Sequence, residues 1–317
     1  DVVAFDTVPM MCRTKENKMK RFPILIVLVL AGCGEAVKPS YEEIGVEVNA
    51  SGALTDEQAE ILTMYRFIWL DGLTHVTDKQ AELLGEVSSL SFDGLTSITD
   101  GQAASLSKSC GSLSLSGLTS ITDNQAQSFS RLGTLTLDGL SLITDEQAES
   151  LSKVKGAVYL KGLTSITDKQ AESLSKVNVL QLTGLTSITD QQAESLGKVE
   201  KLFLSGLTSI TDGQAASLSK SCGSLSLSGL TSITDNQAQS FSRLGTLTLD
   251  GLSLITDEQA ESLSKVKGAV YLNGLTSITD AQAESLSKVE RFLFLNGLTS
   301  ITDQQAESLS KIEEALS

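Results

Sequence analysis

The sequence predicts an α/β solenoid of about eleven stacked coils, each 22–23 residues long. The first observation is a segment GLTSITD, or a close variant, that returns with this period from Gly72 onward and leads each time into a stretch similar to QAESLSKV. The second is an alternation of apolar and polar residues before each glycine, and the third is a helix-capping pattern after it. Because a unit of this size cannot bury its own apolar face, the units must stack around one continuous core.

Each coil begins with a short predicted strand. In the coil 87–108, Leu90 and Phe92 alternate with serine residues, which is typical of a strand with one buried face. Gly94 follows, at a point where either a backbone turn or close approach of the neighbouring coil favours a residue without a side chain. The strand therefore ends at this glycine.

A short helix is predicted in the second half of each coil. Thr99 and Gln102 form a Thr-x-x-Gln capping box, and the same box recurs twelve times from Thr55 to Thr302. The aspartate that follows each threonine belongs to a column of like charges. Two interpretations remain open: stabilisation at the positive end of each helix, or a ladder of calcium ligands.

Composition excludes several classes of function. The 317 residues contain 24 Lys plus Arg and 39 Asp plus Glu, a net charge of −15, so a broad basic face for nucleic acid is excluded. His75 is the single histidine, and no phosphate-binding glycine loop or zinc-ligand spacing is present. We therefore expect a non-enzymatic protein without cofactors or metal.

Two long segments of the array are nearly identical. Residues 94–177 and 206–289 match except at Lys161 against Asn273 and Lys169 against Ala281. A catalytic pocket is not expected to persist as two unmodified copies five coils apart. The duplication favours a periodic or multivalent partner, or a surface whose length matters more than its detail.

The N-terminal region predicts export. We interpret residues 1–18 as an overextended reading frame before Met19, and residues 19–32 as a signal peptide whose apolar run 24–30 is too short to span a bilayer. The run ends in LAGC, which resembles the lipobox of bacterial lipoproteins and implies lipidation of Cys33. The alternative is a chance cysteine beside an ordinary signal peptide. Lipidation would place the protein in a bacterial cell envelope, anchored to the membrane, and Gly34 is compatible with the outer membrane or cell surface.

Residues 33–50 are predicted to be a short lipidated tether, with the solenoid covering 51–317. The alternative is that Ile44, Val46 and Val48 form a packed first strand that helps to cap the array. At the other end, no polar capping unit follows the last half-coil. Either the reading frame is incomplete or this end associates with a partner, such as a second copy of the chain.

The cysteines inside the array are predicted to be buried. Cys110 and Cys222 occupy a column that other coils fill with Val or Leu, so they are expected to behave as small apolar residues. Five coils at about 4.8 Å each separate them by roughly 24 Å, which excludes a disulfide between them.

The pattern LxLxGLTSITDxQAxSL resembles a leucine-rich repeat, and is most similar to the subclass whose units read LxLxxCxxITDxGLxxL. The resemblance covers residue 54 to the end. It departs where the family has Cys or Asn after the strand, since this chain has Leu95, Leu118 and Leu140 there. The family implies a parallel sheet on one face, short helices on the other, and binding through the strand face. The competing fold, a parallel β-helix, is disfavoured by the capping boxes.

One strand position predicts where a partner docks. The residue between the two buried strand positions faces outward, and five coils place an aromatic residue there: Trp69, Tyr159, Phe203, Tyr271 and Phe294. Exposed aromatic side chains on a rigid sheet are typical interface anchors. The alternative is that aromatic residues suit strands and stack on their neighbours.

The sequence thus predicts a binding scaffold for a protein or glycan partner on the strand face. A structural spacer or self-associating adhesion element without a selective ligand is the competing prediction.

Overall fold

The computed structural model describes residues 39–108, 110–220 and 223–312. The compact unit begins at Pro39. Helices and strands alternate along it in this order: α1 (Tyr41–Ser51), α2 (Asp56–Leu62), β1 (Phe67–Trp69), α3 (Asp78–Leu84), β2 (Ser89–Ser91), α4 (Asp100–Leu106), β3 (Ser112–Ser114), α5 (Asp123–Phe129), β4 (Thr134–Thr136), α6 (Asp145–Leu151), β5 (Ala157–Tyr159), α7 (Asp168–Leu174), β6 (Val179–Gln181), α8 (Asp190–Leu196), β7 (Lys201–Phe203), α9 (Asp212–Leu218), β8 (Ser224–Ser226), α10 (Asp235–Phe241), β9 (Thr246–Thr248), α11 (Asp257–Leu263), β10 (Ala269–Tyr271), α12 (Asp280–Leu286), β11 (Phe292–Phe294) and α13 (Asp303–Leu309).

The strands form one parallel sheet in chain order, from β1 to β11. Each strand pairs in register with the next, so that Leu90 lies opposite Leu113 and Leu113 lies opposite Leu135. Helices occupy the second half of each coil and contact the helices of the neighbouring coils. The predicted solenoid is confirmed, and the β-helix alternative is excluded because the coils carry helices opposite a single sheet.

The core runs along the inside of the stack. In the coil of β3, Leu113, Leu115 and Leu118 are fully buried, and Ala126 and Phe129 of α5 close the coil from the helix side. Burying one such leucine contributes about 1.5–3 kcal/mol. Stacking of whole coils, rather than any local element, therefore supplies most of the stability.

The predicted Thr-x-x-Gln capping boxes are present, and the glutamine also joins neighbouring coils. Gln170 accepts a hydrogen bond from the backbone N–H of Thr167 at 2.9 Å. Its Nε2 donates to the carbonyl oxygen of Ile143, in the preceding coil, at 2.8 Å. The same inter-coil bond recurs from Gln80 to Gln305. The glutamine column thus bonds loop backbone between coils, while the leucine column is fully buried from Leu73 to Leu275.

The glycine after each strand is required by close contact with the preceding coil. A Cβ atom at Gly94 would lie against the carbonyl oxygen atoms of Asp71 and Leu73, the latter at 2.7 Å. Real Cβ atoms do not approach oxygen this closely, so any other residue would push the coils apart. The predicted close approach is confirmed.

Residues 41–51 form helix α1, so both predictions for this region, a tether and a first strand, are wrong here. Ser40 and Glu43 form a reciprocal capping box at its start. Ile44 and Val48, four residues apart, are fully buried, whereas Val46 is 73% exposed. A helical period of four, rather than a strand period of two, governs this segment, and the folded unit therefore begins before residue 51.

Helix α1 covers the first coil of the stack. The backbone N–H of Trp69 in β1 donates to the Tyr41 hydroxyl at 2.9 Å, and the N–H of Thr74 donates to the Gly52 carbonyl at 3.0 Å. The first bond satisfies a group on the outer edge of β1 that no described strand pairs, and the second joins the loop after β1 to the end of α1. The helix is the N-terminal cap of the array.

Candidate functional site

The outward-facing middle column of the sheet exists as predicted. Register places its members opposite one another from strand to strand, in this order: Trp69, Ser91, Ser114, Thr136, Tyr159, Gln181, Phe203, Ser226, Thr248, Tyr271 and Phe294. A strand spacing of about 4.8 Å brings adjacent members into contact distance. The column is therefore a continuous surface made by eleven separate coils.

This surface is almost uncharged. Among the outer positions of the eleven described strands, Lys201 is the only charged residue, although the chain carries a net charge of −15. Serine and threonine fill β2–β4 and β8–β9. The acidic character of the protein thus belongs to the loops and helices, not to the strand face.

The five predicted anchor residues differ in exposure. Trp69 is 57% exposed and stacks on Phe67, with ring centroids 6.3 Å apart and an interplanar angle of 23°. Tyr159, Phe203, Tyr271 and Phe294 are half-buried. Their assignment as a partner-binding set stays a prediction.

Tyr271 and Phe294 stack face to face, with centroids 4.3 Å apart and an interplanar angle of 2°. Burial, and secondarily the charge of Asp250, raise the pKa of the Tyr271 phenol. The phenol therefore remains a neutral donor across the physiological range. Mutual stacking, the alternative explanation for the aromatic residues, applies to this pair.

A row of polar residues borders the column where the strands end. Ser91 donates its hydroxyl proton to Asp71 at 2.6 Å, and Ser114 donates to Asp93 at the same distance. Farther along, Asp138 accepts the backbone N–H of Lys161 at 3.1 Å. These carboxylates are held in place by the next coil, so they form an ordered rim of hydrogen-bond acceptors.

The aspartate column of the helix side takes hydrogen bonds between coils. Asp100 accepts from the Thr122 hydroxyl at 2.6 Å and from the Asn124 amide at 2.8 Å, and these donors hold the pKa of its carboxyl below the ordinary value of 3.8. Most members accept from the threonine of the next coil in the same way. The described residues contain no cluster of three or more His, Cys, Asp or Glu that could hold a metal. The aspartate column thus joins neighbouring coils through hydrogen bonds, and the choice between stabilisation at the helix ends and a calcium ladder stays a prediction.

No set of catalytic side chains is assembled in the part of the chain that the structure describes. His75 is exposed and lies 3.4 Å from the hydroxyl of its neighbour Thr74. Depressions on the helix side, such as the one of about 260 Å³ bordered by Lys108 and Arg131, are shallow and open to solvent. Neither feature combines a nucleophile with a base.

The cysteine predictions are tested only in part. Cys110 is buried, and burial raises the pKa of its thiol, which agrees with its prediction as a small apolar residue. Cys222 and the proposed lipidation site Cys33 lie outside the described residues. Within those residues, no helix has the length and apolar character needed to cross a membrane.

The last described coil is open. Leu293, Leu295 and Leu298 are partly exposed, whereas their equivalents in inner coils are fully buried, and Phe292 and Ile301 are 40% and 48% exposed. The difference arises because no described coil covers them. Association of this end with a second copy stays a prediction.

Sequence reasoning missed one residue that shapes the strand face. It is Tyr41, whose hydroxyl accepts a hydrogen bond from the backbone N–H of Trp69, and its only sequence signal was the Ser40-to-Glu43 capping pattern. Phe67, which the sequence places in the column beside Trp69, is 54% exposed and enlarges the aromatic surface there. Both lie at the N-terminal end of the sheet, which is therefore the most exposed aromatic surface of the column.

Comparison with known proteins identifies the fold. No family model and no curated protein matches the chain. Among solved structures, it is similar to the leucine-rich repeat-containing protein LegL7 from Legionella pneumophila, with 16% identity and a TM-score of 0.51 over 71% of this chain and 90% of that chain. It is also similar to an internalin, inlF, from Listeria monocytogenes, with 15% identity and a TM-score of 0.43 over 87% and 94% of the two chains. The in-register coils and the LegL7 match show that the chain has the leucine-rich repeat fold.

Proposed function

We propose that this protein is a non-enzymatic binding scaffold that displays its strand face to a protein or glycan partner. One observation carries the proposal: the loops and helices are nearly constant from coil to coil, whereas the outward strand residues vary from Ser to Thr, Tyr, Gln and Phe. A recognition surface on a rigid scaffold is expected to have varied surface residues on a constant framework of loops and helices.

The second part of the proposal is attachment to a bacterial envelope through lipid on Cys33. Its support is the basic and apolar run that ends in LAGC. Metabolic labelling with a radioactive fatty acid should mark the full chain and should be lost in Cys33→Ser. Equal labelling of both forms, or of neither, would contradict the anchor.

A binding scaffold and a spacer make different predictions for the outward column. The test uses the chain from residue 34, which contains the whole compact unit, as bait in envelope and extracellular extracts. A strand-face variant replaces aromatic residues by the residue types of neighbouring strands: Trp69→Ser, Tyr159→Thr, Phe203→Ser and Tyr271→Thr. The control variant carries Leu142→Ser and Leu254→Ser, at loop positions that are 70% and 72% exposed and are serine in most other coils.

If the protein is a binding scaffold, the unmodified bait and the control variant should both retain a component that the strand-face variant does not retain. Retention by all three forms, or by none, would favour a structural spacer. The near identity of residues 94–177 and 206–289 is the observation that favours the spacer.

A further inference from the structure

The outward column contains two stretches of hydroxyl side chains, and each lies between aromatic residues. We name them the first trough (Trp69, Ser91, Ser114, Thr136 and Tyr159 of β1–β5) and the second trough (Phe203, Ser226, Thr248 and Tyr271 of β7–β10). At about 4.8 Å per strand, the aromatic residues stand roughly 19 Å apart in the first trough and roughly 14 Å apart in the second. Serine and threonine are short, so the sheet surface is lower between the rings.

One aromatic wall of each trough is held by contacts outside that trough. Trp69 is held through its backbone by the Tyr41 hydroxyl and keeps 57% of its surface exposed. Tyr271 has one ring face stacked on Phe294 of β11, so its other face is turned toward Thr248 of β9. Each trough therefore presents at least one preorganised aromatic face.

The floor, together with the aspartate rim, offers hydrogen-bond acceptors. In the first trough, Ser91 and Ser114 direct their protons to Asp71 and Asp93, which leaves lone pairs of the hydroxyl oxygen atoms and the second carboxylate oxygen atoms for a ligand. In the second, Ser226 is only 8% exposed and its hydroxyl lies 3.1 Å from that of Ser205, so the half-buried Thr248 supplies the accessible hydroxyl of this floor. Such a floor matches a ligand that is rich in hydroxyl donors.

Resting on the proposed function, we infer that each trough binds a short stretch of a neutral, unbranched hexose polymer lying across the strands. The C–H face of a pyranose ring packs on an aromatic wall, while its hydroxyl groups bond to the serine, threonine and aspartate oxygen atoms of the floor. The net charge of −15 and the single lysine of the face disfavour an anionic polymer. The shallow, hydroxyl-lined surface disfavours a small apolar ligand, which requires an enclosed pocket.

Both troughs run across successive strands of the same sheet, so one polymer reaches both. Binding at the first trough then raises the effective concentration of the polymer at the second. We expect weak binding of a hexasaccharide and at least about tenfold tighter binding of a long chain, since a short ligand occupies a single trough.

The chain supplies its own reporter for the first trough, because Trp69 is its single tryptophan. The chain from residue 34 is titrated with cellohexaose, mannohexaose and maltohexaose, with hydroxyethyl cellulose as the long neutral polymer and polygalacturonate as the anionic control. Tryptophan fluorescence and calorimetry are measured in parallel. At least one neutral hexasaccharide should change both signals, and polygalacturonate should change neither.

Variants separate the two troughs. Trp69→Ser should remove most hexasaccharide binding to the first trough in calorimetry. Tyr271→Thr should leave the Trp69 response to the hexasaccharide unchanged and weaken polymer binding about tenfold. Leu142→Ser, outside both troughs, should alter neither measurement.

Failure of the sugar proposal differs from failure of the proposed function. If no neutral saccharide changes either signal, but extracts yield a component that depends on the strand face, the occupant is not a neutral hexose polymer and the sugar proposal falls alone. If neither experiment shows binding, both fall. Equal loss in Leu142→Ser and Trp69→Ser would place any sugar site elsewhere and overturn the assignment of the troughs.

Discussion

The segments 94–177 and 206–289 are two copies of one sequence, and they adopt the same coils in different surroundings. Within the copies the bonds are the same: Asp100 accepts from Thr122 at 2.6 Å, and Asp212 accepts from Thr234 at 2.6 Å. At the edge of the copies the surfaces diverge. The hydrogen bonds within each copy are set by the copied residues. The exposed surface of a coil, in contrast, also depends on the neighbouring coil.

The tyrosine in the last strand of each copy shows this dependence. Tyr159 lies opposite Gln181, whereas Tyr271 lies opposite Phe294 and stacks on it. The neighbours Gln181 and Phe294 are both outside the copies. The copied tyrosine is therefore stacked on an aromatic ring in the second copy, at Tyr271, and is unstacked in the first, at Tyr159. The two copies thus do not provide two equal binding sites.

The largest expected effect comes from the glycine after the strand, and it should be equal in both copies. A Cβ at Gly162 would lie 2.6 Å from the Leu140 carbonyl oxygen, and one at Gly274 would lie 2.6 Å from that of Leu252. Gly162→Ala and Gly274→Ala should each lower the free energy of unfolding by about 3 kcal/mol, at the upper end of overpacking costs. Urea denaturation followed by circular dichroism measures the change.

The matched control uses glycines in open surroundings. At Gly101 and Gly213 the nearest atom to an added Cβ is a threonine hydroxyl oxygen at 3.7 Å. Alanine there should stabilise helix α4 or α9 by about 0.5–1 kcal/mol. Equal destabilisation at all four glycines would mean that coil contact is not the cause.

The glutamine column should give the next largest effect. Gln282 bonds the Thr279 backbone at 2.9 Å and the Ile255 carbonyl at 2.8 Å, as Gln170 does in the first copy. Gln170→Leu and Gln282→Leu each leave a buried carbonyl without its donor, which should cost about 1–3 kcal/mol. If the unfolding free energies of both variants equal that of the unmodified chain within error, the glutamine bond does not contribute to stability.

A smaller, pH-dependent effect is expected from the two matched aspartates. Hydrogen bonds from Thr122 and Thr234 lower the pKa of Asp100 and Asp212 below 3.8. Their contribution to stability is therefore fully present above pH 3.8 and is lost as the pH falls through the lower folded-state value. A double variant, Asp100→Asn with Asp212→Asn, should be less stable than the unmodified chain at pH 7, and the gap should close toward pH 2. If the difference in urea midpoint between the double variant and the unmodified chain does not vary with pH, the lowered pKa values of the two aspartates do not contribute to stability.

The smallest effect is expected from converting one copy into the other. Lys161 pairs with Asp138 at 2.9 Å and Lys169 with Asp145 at 3.3 Å, with both lysine side chains at least half exposed. Lys161→Asn with Lys169→Ala makes the copies identical and should change the free energy of unfolding by about 1 kcal/mol or less. A loss above about 2 kcal/mol would show that these ion pairs, rather than the core, distinguish the copies.

The sequence predicted the features that repeat and missed those that depend on a neighbour. The period, the buried leucines and the twelve capping boxes are local patterns, so they could be read from one coil. The inter-coil bond of Gln170 could not, because it requires the position of the preceding coil. Helix α1 was missed although Ser40 and Glu43 signal its start, since it follows no repeat.

The candidate site was predicted in outline only. Alternation within each strand identified the outward column, and register confirmed it. The exposure of its members could not be predicted, because the half-burial of Tyr159 and the stacking of Tyr271 depend on side chains one strand away. The residues that hold Trp69 in place come from outside the repeats.

The central claim is that each coil stacks on its neighbour in the chain, and a cross-linking experiment tests it most directly. Residues 157–159 and 269–271 are identical, so either could pair with β4 on sequence alone. In the structure Thr136 lies opposite Tyr159, within disulfide reach at a spacing of about 4.8 Å. Tyr271 is six strands away, at roughly 29 Å.

The measurement compares two cysteine pairs in a chain from residue 34 that also carries Cys110→Val and Cys222→Val. On mild oxidation, Thr136→Cys with Tyr159→Cys should form an intramolecular disulfide, and Thr136→Cys with Tyr271→Cys should not. A disulfide in the second pair, or its absence in the first, would contradict the in-register stack and the strand face that depends on it.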